Sequence, residues 1–210
     1  MISLNYKIEN FEIAYQAPQG LFHSPVAIVD NELGNDISAD WDYEKGKVVV
    51  TGILFKDTIN IYIKEREDDN DFVKTVSRKL LNIGSETPIY AFNKAFEVGN
   101  FKGDFNLPII IQEIKPFAAK GWNKDRFYQE LINNKVIPDI KIKDILNGNG
   151  AKCIGRWQEY LRTGNFQNMM DIVSHNLSCL LKESVILKHF HYYKENWEID
   201  SKGFMLKKKN

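Results

Sequence analysis

Two apolar runs separated by two residues constrain this chain most. Residues 47–55 read KVVVTGILF and residues 58–64 read TINIYIK, both rich in β-branched side chains, with Lys56-Asp57 between them. The pattern predicts an antiparallel hairpin. A third apolar run at residues 26–29 predicts a strand, and residues 87–92 predict another. Between them, residues 71–81 read as a helix with Phe72, Val73, Val76, Leu80 and Leu81 on its apolar face, closed by Asn82-Ile83-Gly84. Residues 31–46 are polar and read as a loop.

The second half is mostly helical in pattern. A helix begins at residues 94–98, and 123–133 form another with Phe127, Leu131 and Ile132 on one side. Residues 105–122 are interrupted by Pro108, Pro116 and Gly121, and residues 139–146 read as a short strand or a helix start. Gly148 to Gly150 form a loop. Residues 154–161 and 166–187 read as helices separated by Arg162-Thr163-Gly164-Asn165. The tail after His189 alternates weakly. The order predicts an α/β fold with a mixed central sheet flanked by helices, in one domain over residues 1–210. Ligands of such sheets gather at strand ends.

Composition narrows the chemistry. Basic and acidic residues balance at 28 each, which gives no sign of a broad nucleic-acid-binding surface but leaves room for a local groove. With 43% hydrophobic residues and only Cys153 and Cys179, the chain needs no disulfide framework and fits a reduced, cytoplasmic setting. The first residues carry acids and no apolar run, so no signal peptide is read, and no stretch has the length of a membrane span. Asn176-Leu177-Ser178 matches a glycosylation acceptor by chance, inside a helical pattern.

Three stretches carry candidate chemistry. Asp30 and Glu32 are two apart at the end of the first apolar strand, so a continuing strand sends both from one face. Two such carboxylates can hold a hard cation through oxygen, or can simply cap a loop. Glu97 lies one turn into the helix after the strand at 87–92, with Asn93 placed to cap that helix and Phe96 to pack beneath. A first-turn Glu is also favoured by the helix dipole alone. His175, Cys179 and Glu183 are four apart and share a helical face. Cys179 can equally be a small buried apolar residue; zinc binding is open in principle, but Cys153 has no partner at zinc-motif spacing. His189 and His191 lie among aromatic residues and can simply pack. Trp122, with Lys120 and Lys124, is placed for stacking and phosphate contact. Arg156 and Arg162 flank Trp157 and Tyr160, where Trp157 and Leu161 at i+4 read as a packed face.

Together these stretches resemble the DEDD-type 3′–5′ exonucleases of the ribonuclease-H-like superfamily, over residues 26–187. Asp30-x-Glu32 resembles the family's first acidic motif. Asn93-Lys94-Ala95-Phe96-Glu97 resembles its Asn-x-x-Phe-Asp motif, with Glu for the commoner Asp. Residues 157–165, WQEYLRTGN, resemble the run before the last motif. His175-Asn176-Leu177-Ser178-Cys179 resembles that last motif but has Cys179 where the family has an acidic metal ligand. The resemblance implies a ribonuclease-H-like fold and Mg²⁺ or Mn²⁺ held by Asp30, Glu32 and Glu97, with a two-ion site weakened at Cys179. It implies a catalytic role for His175 in orienting or deprotonating water, and substrate positioning by Asn93. The expected substrate is DNA or RNA, at a single-stranded end. The loss of the acid at Cys179 leaves a second expectation open, an impaired exonuclease-like domain that binds nucleic acid or a protein partner. Glu183 reaches inward only if its helix sits deep.

Overall fold

In the computed structural model, the described residues are 1–7, 26–38, 42–114, 123–137, 139, 142–187, 197–199 and 206–208, the last two segments as backbone. Trp122, Lys120, His189 and His191 lie outside them. Six strands form the main sheet: β1 (Ile2–Lys7), β2 (Ala27–Leu33), β3 (Val48–Phe55), β4 (Thr58–Ile63), β5 (Ile89–Ala91) and β6 (Ile111–Glu113), in the order β1-β4-β3-β2-β5-β6. The β3–β4 hairpin and β2 pair antiparallel, while β5 and β6 run parallel to β2. This is the expected mixed sheet of a ribonuclease-H-like α/β fold, with β1 added antiparallel at the edge of β4. A separate two-stranded ribbon joins β7 (Trp197–Ile199) and β8 (Leu206–Lys208).

Helices cover both faces. The pleat of β2 divides its side chains: Ala27 and Val29 pack with Phe72, Val76 and Leu80 of α1 (Asn70–Gly84) and Phe101 of α2 (Lys94–Gly103). Ile28 packs on the other face, where α3 (Lys124–Asn133), α4 (Ala151–Thr163) and α5 (Phe166–Ile186) supply Phe127, Leu131, Trp157, Ile172 and Leu180. Side-chain caps start three of these helices. Asp69 accepts from Phe72 N at 3.1 Å, Asn123 from Arg126 N at 2.8 Å, and Asn165 from Gln167 N at 3.1 Å. Helix α5 is apolar around much of its circumference and lies buried between the sheet and α4, which places it across the ends of β2 and β3.

Several expectations need correction. Residues 31–33 are not loop but the last part of β2, because β3 offers them ladder partners, Asn31 against Thr51 and Glu32 against Val50. Beyond them, Tyr43–Lys45 form one turn of 3₁₀ helix. The described residues of 139–146 form neither strand nor helix; a turn begins at Ile145. Leu81 and Leu161 are exposed, since the buried stripes of their helices run through Leu80 and Ile83, and through Cys153 and Trp157. Trp157 itself is core, and Arg156 and Arg162 pair with Asp171 and Glu159. No described helix is long and apolar enough to cross a membrane.

Candidate active site

A cleft of about 250 Å³ opens at the carboxyl end of β2. Asp30, Glu32, Asn93, Glu97, Lys124, His175, Cys179 and Glu183 all line it. The structure therefore brings together the acids, Asn93, Lys124, His175 and Cys179, from a strand and three helices, while Trp122 and Lys120 lie outside the described residues. Continuation of β2 through Leu33 puts Asp30 and Glu32 on the α5 face and turns Asn31 the opposite way.

Asn176 anchors the two acids. Its Nδ2 donates to Asp30 Oδ2 and Asp30 O, both at 2.9 Å, and lies 3.4 Å from Glu32 Oε1. Helix α5 comes close enough for this because Gly52, opposite Asp30 on β3, has no side chain. A Cβ there would lie 2.1 Å from Asn176 Oδ1 and 2.5 Å from Leu180 Cδ1. Asn176 is fully buried, so its glycosylation-like triplet is part of the core.

Glu97 is placed by the residue between the two strand acids. It accepts from Asn31 N at 3.3 Å and from Asn31 Nδ2, while Asn31 Oδ1 accepts from Thr51 Oγ1 at 2.6 Å. Asn93 lines the cleft, but its side chain does not cap α2, contrary to expectation; its backbone carbonyl accepts from Glu97 N at 3.3 Å.

Glu183 does reach inward. It is 1% exposed, and its Oε1 meets Lys124 Nζ. The same ammonium lies 2.6 Å from Asp30 Oδ1. Four buried carboxylates thus gather near one lysine, which pairs with two of them. Burial, followed by the charge of Asp30, raises Glu32 and Glu183 to about 8 and lifts Glu97 well above the usual carboxylate range. Lys124 is held above its ordinary value although burial opposes its charge, because Asp30, Cys179 and Glu183 face it. Glu183 Oε2 is buried without a hydrogen-bond partner among the described residues. An oxygen-only set with an unpartnered oxygen, crowded enough that its carboxyls hold protons a cation can displace, fits a hard divalent cation.

His175 and Cys179 form the remaining wall. His175 Nδ1 lies 2.9 Å from Asp144 Oδ2, and Nε2 faces Glu32 Oε2 at 3.9 Å and Cys179 Sγ at 3.8 Å. Asp144 also accepts from Leu146 N at 2.9 Å and Gly148 N at 2.8 Å. Burial works against both charges of this pair. The His175 contact nevertheless draws Asp144 down to about 2, while Asp144, Cys179 and Glu32 push His175 up to about 11. At neutral pH the imidazole therefore carries its proton and donates, a state that suits the orienting role of the two expected from sequence. Burial raises the Cys179 thiol to about 11. Cys153, from the start of α4, places Sγ 3.5 Å from Glu32 Oε2.

The sequence reading missed the roles of Asn31, Asp144, Cys153 and Lys124 as a buried counter-ion. Only Asn176 had a local signal, one residue after His175 inside the motif-like run.

No protein-family model matches the chain, and no curated protein matches it. Among solved structures, the chain is similar to the family B DNA polymerase from the hyperthermophilic archaeon Pyrobaculum calidifontis, with a TM-score of 0.50 and 10% sequence identity. The similarity covers 81% of this chain and 24% of that polymerase, so the chain spans about a quarter of its neighbour's length. At that identity the likeness is one of fold.

Proposed function

We propose that this chain is a metal-dependent 3′–5′ exonuclease that hydrolyses phosphodiester bonds at a single-stranded end of DNA or RNA. The observation that carries the reading is the convergence of Asp30, Glu32, Glu97 and Glu183 in one cleft at the carboxyl end of β2. The fold likeness to part of a DNA polymerase agrees with a nucleic-acid substrate.

Asp30, Glu32, Glu97 and Glu183 would hold Mg²⁺ or Mn²⁺, which when bound supplies an activated water and stabilisation of the leaving oxygen. The chain's own groups prepare the rest. Asn176 fixes the rotamers of Asp30 and Glu32, and Asn31 fixes Glu97. Protonated His175, oriented by Asp144, offers an N–H to a phosphate oxygen. Phe92 and Phe96 line the same cleft, and Phe96, which is only half-buried, gives a base an apolar face to stack on. Asn93, beside them, is positioned to hydrogen-bond the terminal nucleotide.

Two features favour a second reading, an impaired exonuclease-like domain that binds nucleic acid. Lys124 already neutralises Asp30 and Glu183, and Cys179 stands where an acidic ligand is expected. Incubation of single-stranded DNA and RNA with Mg²⁺ or Mn²⁺ separates the two. The first reading expects mononucleotide release that a chelator and Asp30→Ala both stop. Strand binding that survives chelation, with no release, supports the second reading instead.

A further inference from the structure

We propose that Glu32, His175 and Cys179 form a binding site for a transition-metal ion of the zinc type, which shares Glu32 with the oxygen-only set and, when filled, takes up the His175 Nε2 that otherwise faces substrate. One ligand atom from each, Oε2, Nε2 and Sγ, lies within 4.8 Å of the others. A tetrahedral ion with bonds of about 2.0–2.3 Å separates its ligand atoms by roughly 3.3–3.8 Å. His175 Nε2 is 3.8 Å from Cys179 Sγ and 3.9 Å from Glu32 Oε2, so these two pairs are within a few tenths of an ångström of that geometry, and closing the site brings Oε2 and Sγ together from within 4.8 Å. Cys153 Sγ, 3.5 Å from Glu32 Oε2, offers a fourth donor.

An independent feature points the same way. Asp144 holds His175 Nδ1 at 2.9 Å, which leaves Nε2 as the coordinating nitrogen, and two backbone amides fix Asp144 in turn. A carboxylate behind a histidine ligand is the usual support of such an ion. Lys124 makes its ion pairs with Asp30 and Glu183 and leaves the Glu32 carboxylate without a lysine salt bridge among the described residues. Gly150 borders the group without crowding it: a Cβ there would still be 3.4 Å from Nε2 and 3.8 Å from Glu32 Oε2. The donor set of sulfur, nitrogen and one oxygen selects zinc, cobalt or iron over magnesium. Binding exchanges the protons on Nε2 and Sγ for the ion and releases them to solvent.

The test is cobalt(II) titration of the full, chelator-stripped chain, read by absorption. One equivalent should produce a sulfur-to-cobalt charge-transfer band, and zinc should displace it. Cys179→Ser should lower the band, and Asp144→Asn should keep it while weakening affinity about 10- to 100-fold. His175→Gln, which keeps both thiols, should weaken cobalt binding by at least about tenfold, and it serves as a second arm if Cys179→Ser fails to fold. Absence of the band in the unmodified chain, or a band at full strength in Cys179→Ser, overturns the assignment, as does unchanged affinity in His175→Gln. The readout is binding, so the assignment stands or falls separately from nucleotide release.

Discussion

Lys124 pairs with Asp30 in the interior, Nζ 2.6 Å from Oδ1, and the same ammonium meets Glu183. The lysine thus occupies the place of a counter-ion within a cluster of carboxylates. Removing one partner of a buried ion pair leaves the other charge uncompensated, at a cost of about 3–5 kcal/mol. Lys124→Met should lower the melting temperature of the metal-free chain, and Mg²⁺ should restore more of it than it adds to the unmodified protein. Thermal melting with and without the ion checks both halves. A melting temperature indifferent to Lys124→Met would mean that Asp30 and Glu183 do not depend on the ammonium.

The acids also fix a pH dependence. Glu32 and Glu183 rise from 4.5 to about 8 in the folded chain, through burial and then the charge of Asp30. Between those values the folded state binds more protons than the unfolded one, so stability falls as pH rises. His175 adds to the same trend. Its raised value means that its contribution is complete below 6.5 and is lost as pH climbs through about 11. Denaturant unfolding of the metal-free chain from pH 5 to 8 should show a steady loss of stability. Glu183→Gln should flatten the slope.

Cys179 gives a gain-of-binding test. It lies in the cleft wall within the reach of Glu32 and His175 rather than in an apolar layer. Cys179→Asp should tighten Mg²⁺ binding by roughly tenfold, about 1.4 kcal/mol, while adding one more carboxylate that destabilises the metal-free chain. Calorimetric titration reads the first effect and thermal melting the second. Lower stability without tighter binding would show that position 179 does not address the ion.

Gly52 tests how the helix meets the sheet. Its missing side chain admits Asn176, and a Cβ would lie 2.1 Å from Asn176 Oδ1. Gly52→Ala should cost about 1–3 kcal/mol by overpacking, and should weaken divalent-ion binding by releasing Asp30 from Asn176. Equilibrium unfolding and ion titration of the variant measure the two consequences. An alanine tolerated without loss in either would refute the close approach.

Local periodicity made much of this molecule legible. The hairpin and the shared face of His175, Cys179 and Glu183 both follow from spacings of two or four residues. Strand β1 escaped notice although Ile2, Leu4 and Tyr6 alternate, because an edge strand buries one face only partly. Residues 31–33 read as loop since Asp-Asn-Glu is polar; the ladder of β3 decides otherwise. The contacts that tune the site join distant parts of the chain: 31 residues separate Asp144 from His175, 94 separate Asp30 from Lys124, and 121 separate Glu32 from Cys153. No local pattern encodes such pairings. They arise when α3, α4 and α5 pack on one face of the sheet.

The central claim is hydrolysis from the 3′ end by an ion held on the strand-end acids. Its most direct test is gel analysis of a single-stranded oligonucleotide labelled at its 5′ end, incubated with the chain and Mn²⁺. The account predicts a ladder of products shortening one nucleotide at a time, abolished by a chelator and by Asp30→Ala. An intact oligonucleotide under these conditions, or a ladder of equal intensity with Asp30→Ala, would contradict it.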